Sequence, residues 1–140
     1  MPVAYVLWDW NGTLLDDVQT ALEVNNEIFP KFGFSPLGEV EDYRRRFRFP
    51  VREYYRDLGV TDDIFPQVAN AWAAGYLAKS RGCPLQEHAQ ETLEAFHQAG
   101  FCQIILSASK EEHLREQLSR YPIGGYFQAV LGLSHIYATS

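Results

Sequence analysis

Apolar residues fall along this chain in two rhythms. Three short, nearly continuous apolar runs stand out: Val3–Trp8, Cys102–Leu106 ("CQIIL") and Phe127–Leu133 ("FQAVLGL"). Runs of this kind predict strands buried on both faces of a parallel sheet. Between them the apolar residues recur at helical spacing. Ala89, Leu93 and Phe96 share one face of a helix that stops at Gly100, and Leu114, Leu118 and Tyr121 share one face of another, closed by Pro122 and Gly124-Gly125. Strand, helix, strand, helix, strand predicts an α/β fold with a Rossmann-like parallel sheet.

Residues 17–80 read differently. They show helical periodicity interrupted at Pro30, Gly33, Pro36, Pro50, Gly59 and Pro66, with no strand. Pro50 suits the start of a helix that closes at Gly59, and Thr61 suits the start of the next. The expected organisation is an α/β core from residues 1–16 and 81–140, with 17–80 as an inserted helical domain.

Composition narrows the partners. At 140 residues and 46% hydrophobic, the chain can bury a core. A net charge of −6 argues against a surface that wraps nucleic acid. Cys83 and Cys102 show no metal-ligand spacing and no disulfide framework, no leader-like segment opens the sequence, and no apolar window is long enough to span a membrane. A soluble cytoplasmic protein with a small-molecule ligand is the expectation.

The candidate chemistry lies at the strand ends. In an open parallel sheet, ligands bind beyond the carboxyl ends of the strands. Asp9 falls there on the first strand and is followed by a turn, Asn11-Gly12-Thr13, whose backbone N–H groups could cradle an anion. A carboxylate so placed can attack phosphorus, with Mg²⁺ offsetting the repulsion between the two anions. The plainer reading is a strand-end cap and a simple turn. The second strand shifts the balance, because it ends in "SASK" and sets Ser107 and Lys110 at the same edge of the sheet.

Asp9-Trp10-Asn11-Gly12-Thr13-Leu14 resembles the first motif of the haloacid dehalogenase-like superfamily, and "IILS" ending at Ser107 resembles its second. The stretch "RFRFPVREYYRDLGV" is similar to the cap of phosphoglycolate phosphatase-like members, and "SASK" to the β-phosphoglucomutase form of motif two. The resemblance implies a Mg²⁺-dependent hydrolase of a small phosphorylated metabolite, acting through an aspartyl phosphate. Asp9 would be nucleophile and metal ligand, and the main-chain carbonyl of Asn11 a second ligand. Asn11, Gly12, Thr13, Ser107, Ala108 and Lys110 would surround the phosphate, under a helical cap.

Two departures qualify that picture. Asn11 stands where the family's phosphatases carry an acid/base aspartate, and a neutral amide neither protonates a leaving oxygen nor activates water. A good leaving group such as an acyl phosphate remains workable. The lysine and the acidic pair of the third and fourth motifs are not found before "LGLSHIYATS" ends the chain. The expectation is a truncated hydrolase, or a chain whose first-strand edge is covered by a second copy or another chain. The competing reading is a catalytically inactive phosphate-binding or scaffold protein that associates through that edge.

Other features have plainer readings. The arginines at 44, 45, 46, 48, 52 and 56 read as a solvated face paired with Glu41, Asp42, Glu53 and Asp57, with Arg48 or Arg52 the candidates to clamp a substrate's anionic end. Asp62-Asp63 reads as a helix cap or first-turn acid. Phe47, Phe49, Tyr54 and Tyr55 read as the insertion's core, Trp8 and Trp10 as packing residues, and His113 and His135 as surface or packing residues.

Overall fold

The computed structural model describes residues 4–133; the expectations for Val3 and His135 lie outside them. The elements run β1 (Tyr5–Trp8), α1 (Val18–Lys31), α2 (Val40–Arg46), α3 (Val51–Asp57), α4 (Phe65–Lys79), α5 (Ala89–Gln98), β2 (Cys102–Lys110), α6 (Glu111–Leu118) and β3 (Phe127–Leu133). The three strands form one parallel sheet in the order β1-β2-β3. The fold is therefore α/β, as the alternation of apolar rhythms predicts. By internal contacts the chain divides into an α/β unit, residues up to 16 and from 83, and a helical unit, Asp17–Gly82.

In the α/β unit, side chains alternate across the sheet and only one face is packed. Ile105 and Val130 point into a core with Leu93 of α5 and Leu114 and Leu118 of α6. Trp10, Leu14 and Leu15, from the loop after β1, complete it. The buried polar groups on this side are paired. Trp8 Nε1 donates to Gln103 Oε1 (2.8 Å), Gln103 Nε2 donates to the Leu93 carbonyl (2.9 Å), and Trp10 Nε1 donates to Gln117 Oε1 (3.1 Å). Each bond removes the cost of burying an unpaired amide or indole N–H. Both tryptophans thus do the packing expected of them.

The opposite face corrects one expectation. β1 reads as a strand buried on both sides, yet Tyr5 is 56% and Leu7 63% exposed, and Leu106 of β2 is 54% exposed. Register places Leu7 beside Ile104, Ile104 beside Ala129, and Leu106 beside Leu131, so an apolar band crosses all three strands. The physical reason is simple: α5 and α6, the helices of this unit, both pack on the other face.

β2 also runs further than "CQIIL". After a register irregularity beyond Leu106, the strand re-pairs at Lys110 with Leu133 of β3. That carries "SASK" within the strand and makes Lys110 the residue that leads into α6. Gly132 makes this possible, since a Cβ there would come within 2.7 Å of the Glu111 Cα and the Ser109 carbonyl oxygen.

The helical unit encloses its own core. Phe29, Val24 and Ile28 of α1, Tyr54 and Tyr55 of α3, and Phe65, Val68 and Tyr76 of α4 are all buried in one cluster. Aromatic edges meet faces in Phe29–Tyr55 and Tyr55–Phe65, with centroids 5.3 and 5.2 Å apart. Tyr54 donates its hydroxyl to Asn25 Oδ1 at 2.9 Å, and Tyr76 donates to buried Asp17. Burial pushes the Tyr54 and Tyr55 hydroxyls well above the ordinary tyrosine value. Phe49 is the exception among the expected core aromatics. It lies between α2 and α3, edge-on to Phe47, and is 63% exposed.

Candidate active site

The candidate site is drawn from two strand ends of the α/β unit. β1 stops at Trp8, which leaves Asp9 exposed at its carboxyl end. The Asp9 carboxylate accepts the Trp10 N–H at 2.9 Å through one oxygen and the Thr13 hydroxyl at 3.4 Å through the other. These bonds orient an acid that solvent still reaches.

The turn that follows closes on itself. Thr13, Leu14 and Leu15 all donate N–H bonds to the Trp10 carbonyl, and the Gly12 N–H donates to the Leu15 carbonyl at 2.9 Å. Gly12 has φ +75°, a conformation that glycine adopts without steric cost. The Gly12 and Thr13 amides, expected to cradle an anion, are therefore occupied within the loop. The Thr13 hydroxyl is the group the turn directs at Asp9.

From β2, Ser107 is buried on the packed side of the sheet. Its hydroxyl donates to Asn11 Oδ1 at 3.3 Å, and the Ser109 hydroxyl donates to the same oxygen at 2.9 Å. The Ser109 N–H in turn donates to Ser107 Oγ at 3.1 Å. Asn11, Ser107 and Ser109 are thus one connected cluster, two residues along the chain from Asp9. Ser109 is the member that sequence reasoning passed over, although it stands in the quoted "SASK".

The other expected site residues are placed less closely. Ala108 is exposed on β2. Lys110 pairs with Glu112 at 3.7 Å. In the helical unit, Arg48 is engaged by Asp57 through two bonds, at 2.7 and 3.0 Å, and by Glu53 at 3.5 Å. That is the solvated-face pairing the sequence anticipates, and Arg44–Glu41 and Arg45–Asp42 repeat it. Arg48 holds the Asp57 carboxyl below the usual carboxylate range. Arg52 lies over the Phe65 ring, 5.0 Å from its centroid, with its Nε buried and unpartnered. Asp62 neither caps nor opens α4; it lies in the preceding turn as the bidentate partner of Arg56.

The donors for a metal are sparse. Asp9 and the Asn11 carbonyl offer two oxygens, and among the described residues no group of three His, Cys, Asp or Glu side chains gathers to hold an ion. A hard cation such as Mg²⁺ takes about six oxygen ligands, commonly including several waters and one or two carboxylates. The two expected oxygens are fewer than such a shell requires.

An exposed carboxylate thus stands at the carboxyl end of the first strand, beside a hydroxyl-rich end of the neighbouring parallel strand. The sequence model of the haloacid dehalogenase-like hydrolases matches residues 6–139, and the chain belongs to that family. Solved structures agree in fold. A haloacid dehalogenase-like family hydrolase from Streptococcus pneumoniae superposes with a TM-score of 0.77 at 16% identity, covering 94% of this chain and 61% of that one. Protein tyrosine kinase A of Mycobacterium tuberculosis gives 0.81 at 21% identity, with 96% and 61% covered. A protein from Lactobacillus plantarum named as a candidate phosphoglycolate phosphatase gives 0.83 at 14%, with 94% and 62% covered. The chain thus spans about three-fifths of the length of these proteins. At such identities the likeness is one of fold, and the set includes both hydrolases and a kinase. No curated protein matches the chain in sequence.

Proposed function

We propose that this chain belongs to a phosphohydrolase that transfers the phosphoryl group of a small phosphorylated metabolite to Asp9, with Mg²⁺ as the implied cofactor and turnover impaired by Asn11. The observation that carries this reading is the exposed, doubly hydrogen-bonded Asp9 carboxylate at the carboxyl end of β1. An Asp9 oxygen attacks phosphorus and the bond to the leaving oxygen breaks, that oxygen departing with the electron pair; the Thr13 and Ser107 hydroxyls would turn from Asp9 and Asn11 to meet the transferring oxygens. Asp9 and the Asn11 carbonyl are the oxygens this chain would contribute toward a metal, whose other ligands are not among the described residues. Residues 17–80 would act as a substrate-covering cap, with Arg52 the freer of the two arginines to meet an anion, since Arg48 is already paired.

A second reading has its own support. Asn11 and the incomplete metal donor set favour a catalytically inactive phosphate-binding or scaffold protein, associating through the exposed β1 edge. In either case we place the protein in the cytoplasm, on its two free thiols; among the described residues no helix is long and apolar enough to cross a membrane.

The test is phosphate release from acetyl phosphate and from a panel of sugar and glycolate phosphates, with and without Mg²⁺, with Asp9→Asn measured in parallel. Release that vanishes in the variant supports the hydrolase reading. Release equal in both proteins overturns it, and binding of phosphate without release favours the scaffold.

A further inference from the structure

Thr13, whose hydroxyl meets Asp9, is gripped from both sides by one residue of a distant loop. Gln86, in the segment that leads into α5, donates its side-chain Nε2–H to the Gly12 carbonyl at 3.3 Å and its main-chain N–H to the Leu14 carbonyl at 2.8 Å. These are the carbonyls immediately before and after Thr13. Nearby, the Asp16 N–H donates to the Pro84 carbonyl at 2.9 Å, and Leu15 bridges Leu85 in the antiparallel sense. Segments 12–16 and 84–86 therefore run side by side as a short ribbon within the α/β unit.

The side-chain bond fixes what the main-chain bonds leave free. Gly12 has φ +75° and carries no side chain that would restrict the peptide joining it to Thr13. A trans peptide is planar, with its C=O and N–H pointing in opposite directions. The Gly12 carbonyl is held by Gln86, and the Thr13 N–H is held by the Trp10 carbonyl at 3.2 Å, so that plane is pinned at both ends. Its setting carries the Thr13 side chain, whose hydroxyl reaches Asp9 Oδ2 at 3.4 Å.

We propose that Gln86 is a positioning residue for phosphoryl transfer: its carboxamide fixes the Gly12–Thr13 peptide and so keeps the Thr13 hydroxyl at the Asp9 carboxylate. The inference rests on the proposed function, in which Asp9 is the nucleophile and Thr13 a donor to the transferring oxygens. Gln86 acts on the reaction only through Thr13. Without its amide the peptide is free to rotate, and Asp9 loses the hydroxyl that orients its second oxygen. The loss then falls on turnover and leaves substrate affinity as it was.

The experiment compares the parent chain with Gln86→Met, which keeps the length of the side chain and removes the donor. Gln86→Glu, equal in size and without the donor, is the second variant. The main-chain bonds of the ribbon remain in both, and thermal melts check that each is folded. Phosphate release from acetyl phosphate in Mg²⁺ buffer should show kcat lowered about 2–10-fold, the range one neutral hydrogen bond is worth, with KM unchanged. Thr13→Val should lose at least as much, and Gln86→Met should cost nothing further in the Thr13→Val background. Losses that add in the double variant overturn the assignment, as does an unchanged kcat or a change confined to KM.

A second readout does not depend on turnover. Hydrogen exchange at the Thr13 amide should be about 2–10-fold faster in Gln86→Met than in the parent, while amides of β2 exchange as before. Equal exchange at Thr13 shows that the carboxamide does not hold this peptide and overturns the proposal, whatever the kinetics. Absence of Asp9-dependent release from the parent chain overturns the proposed function and the catalytic role of Gln86 with it. Faster Thr13 exchange in that case would keep the grip as a structural one alone.

Discussion

The two units of this chain solve the burial problem differently. The helical unit turns its aromatic and aliphatic residues inward from α1, α3 and α4 into one enclosed cluster, and Arg44, Arg48 and Arg56 meet carboxylates at the surface. The α/β unit packs α5 and α6 on one side of a three-stranded sheet and leaves Tyr5, Leu7, Leu106 and Leu131 exposed on the other. The candidate chemistry sits in the less enclosed unit, at strand ends where backbone and side-chain donors converge. Placement of functional groups at strand ends therefore depends on strand register, and only weakly on how completely the sheet is covered.

The contrast can be tested by substitution, beginning where the effect should be greatest. Leu93 is fully buried beneath the sheet, so Leu93→Ala should cost about 2–5 kcal/mol by chemical denaturation. A loss under about 1 kcal/mol would mean that the packed face is not the core of this unit. Gly132→Ala should cost about 1–3 kcal/mol, because its Cβ meets backbone that cannot turn aside. It should also lower Asp9-dependent phosphate release by moving Ser109, whereas stability loss with normal release would uncouple β3 from the site.

The helical unit should be the alkali-sensitive one. Burial raises the pKa of Tyr54 and Tyr55 above the ordinary value of 10.0. Their contribution is complete below that value and is lost as pH rises above it, because the unfolded chain releases these protons first. Melting temperature should fall progressively above pH 10, and less so in Tyr54→Phe; identical profiles would exclude Tyr54 as a source. The smallest effect is expected on the bare face, where Leu7→Lys should change stability by no more than about 0.5 kcal/mol and reduce light scattering at high concentration. A large destabilisation would show that Leu7 is covered.

The sequence disclosed local features best. The alternation of apolar runs and helical periods located all three strands and the two helices between them, and Asp9 stood out because its strand and turn are contiguous. Ser109 was not legible, since its partner Asn11 lies 98 positions away and is reached only through the pairing of β1 with β2. Phe49 misled because an aromatic in an aromatic-rich stretch reads as core, while its place between two short helices turns it outward. The open face misled for a related reason: an apolar run states which residues favour burial and says nothing about whether an element arrives to bury them. Asp62 found a partner six residues back across a turn, a pairing that helix periodicity does not reach.

The hydrogen bond from the Gly12 N–H to the Leu15 carbonyl also bears on chemical ageing. Asn-Gly sequences deamidate when the glycine nitrogen attacks the asparagine side-chain carbonyl to form a succinimide. Here that nitrogen is engaged by Leu15 and that carbonyl by two serine hydroxyls. The loop that keeps Asn11 in place thus also slows its conversion to aspartate, and each unfolding event releases the restraint. The aspartate and isoaspartate found at position 11 in an old preparation would record how long the loop had spent open.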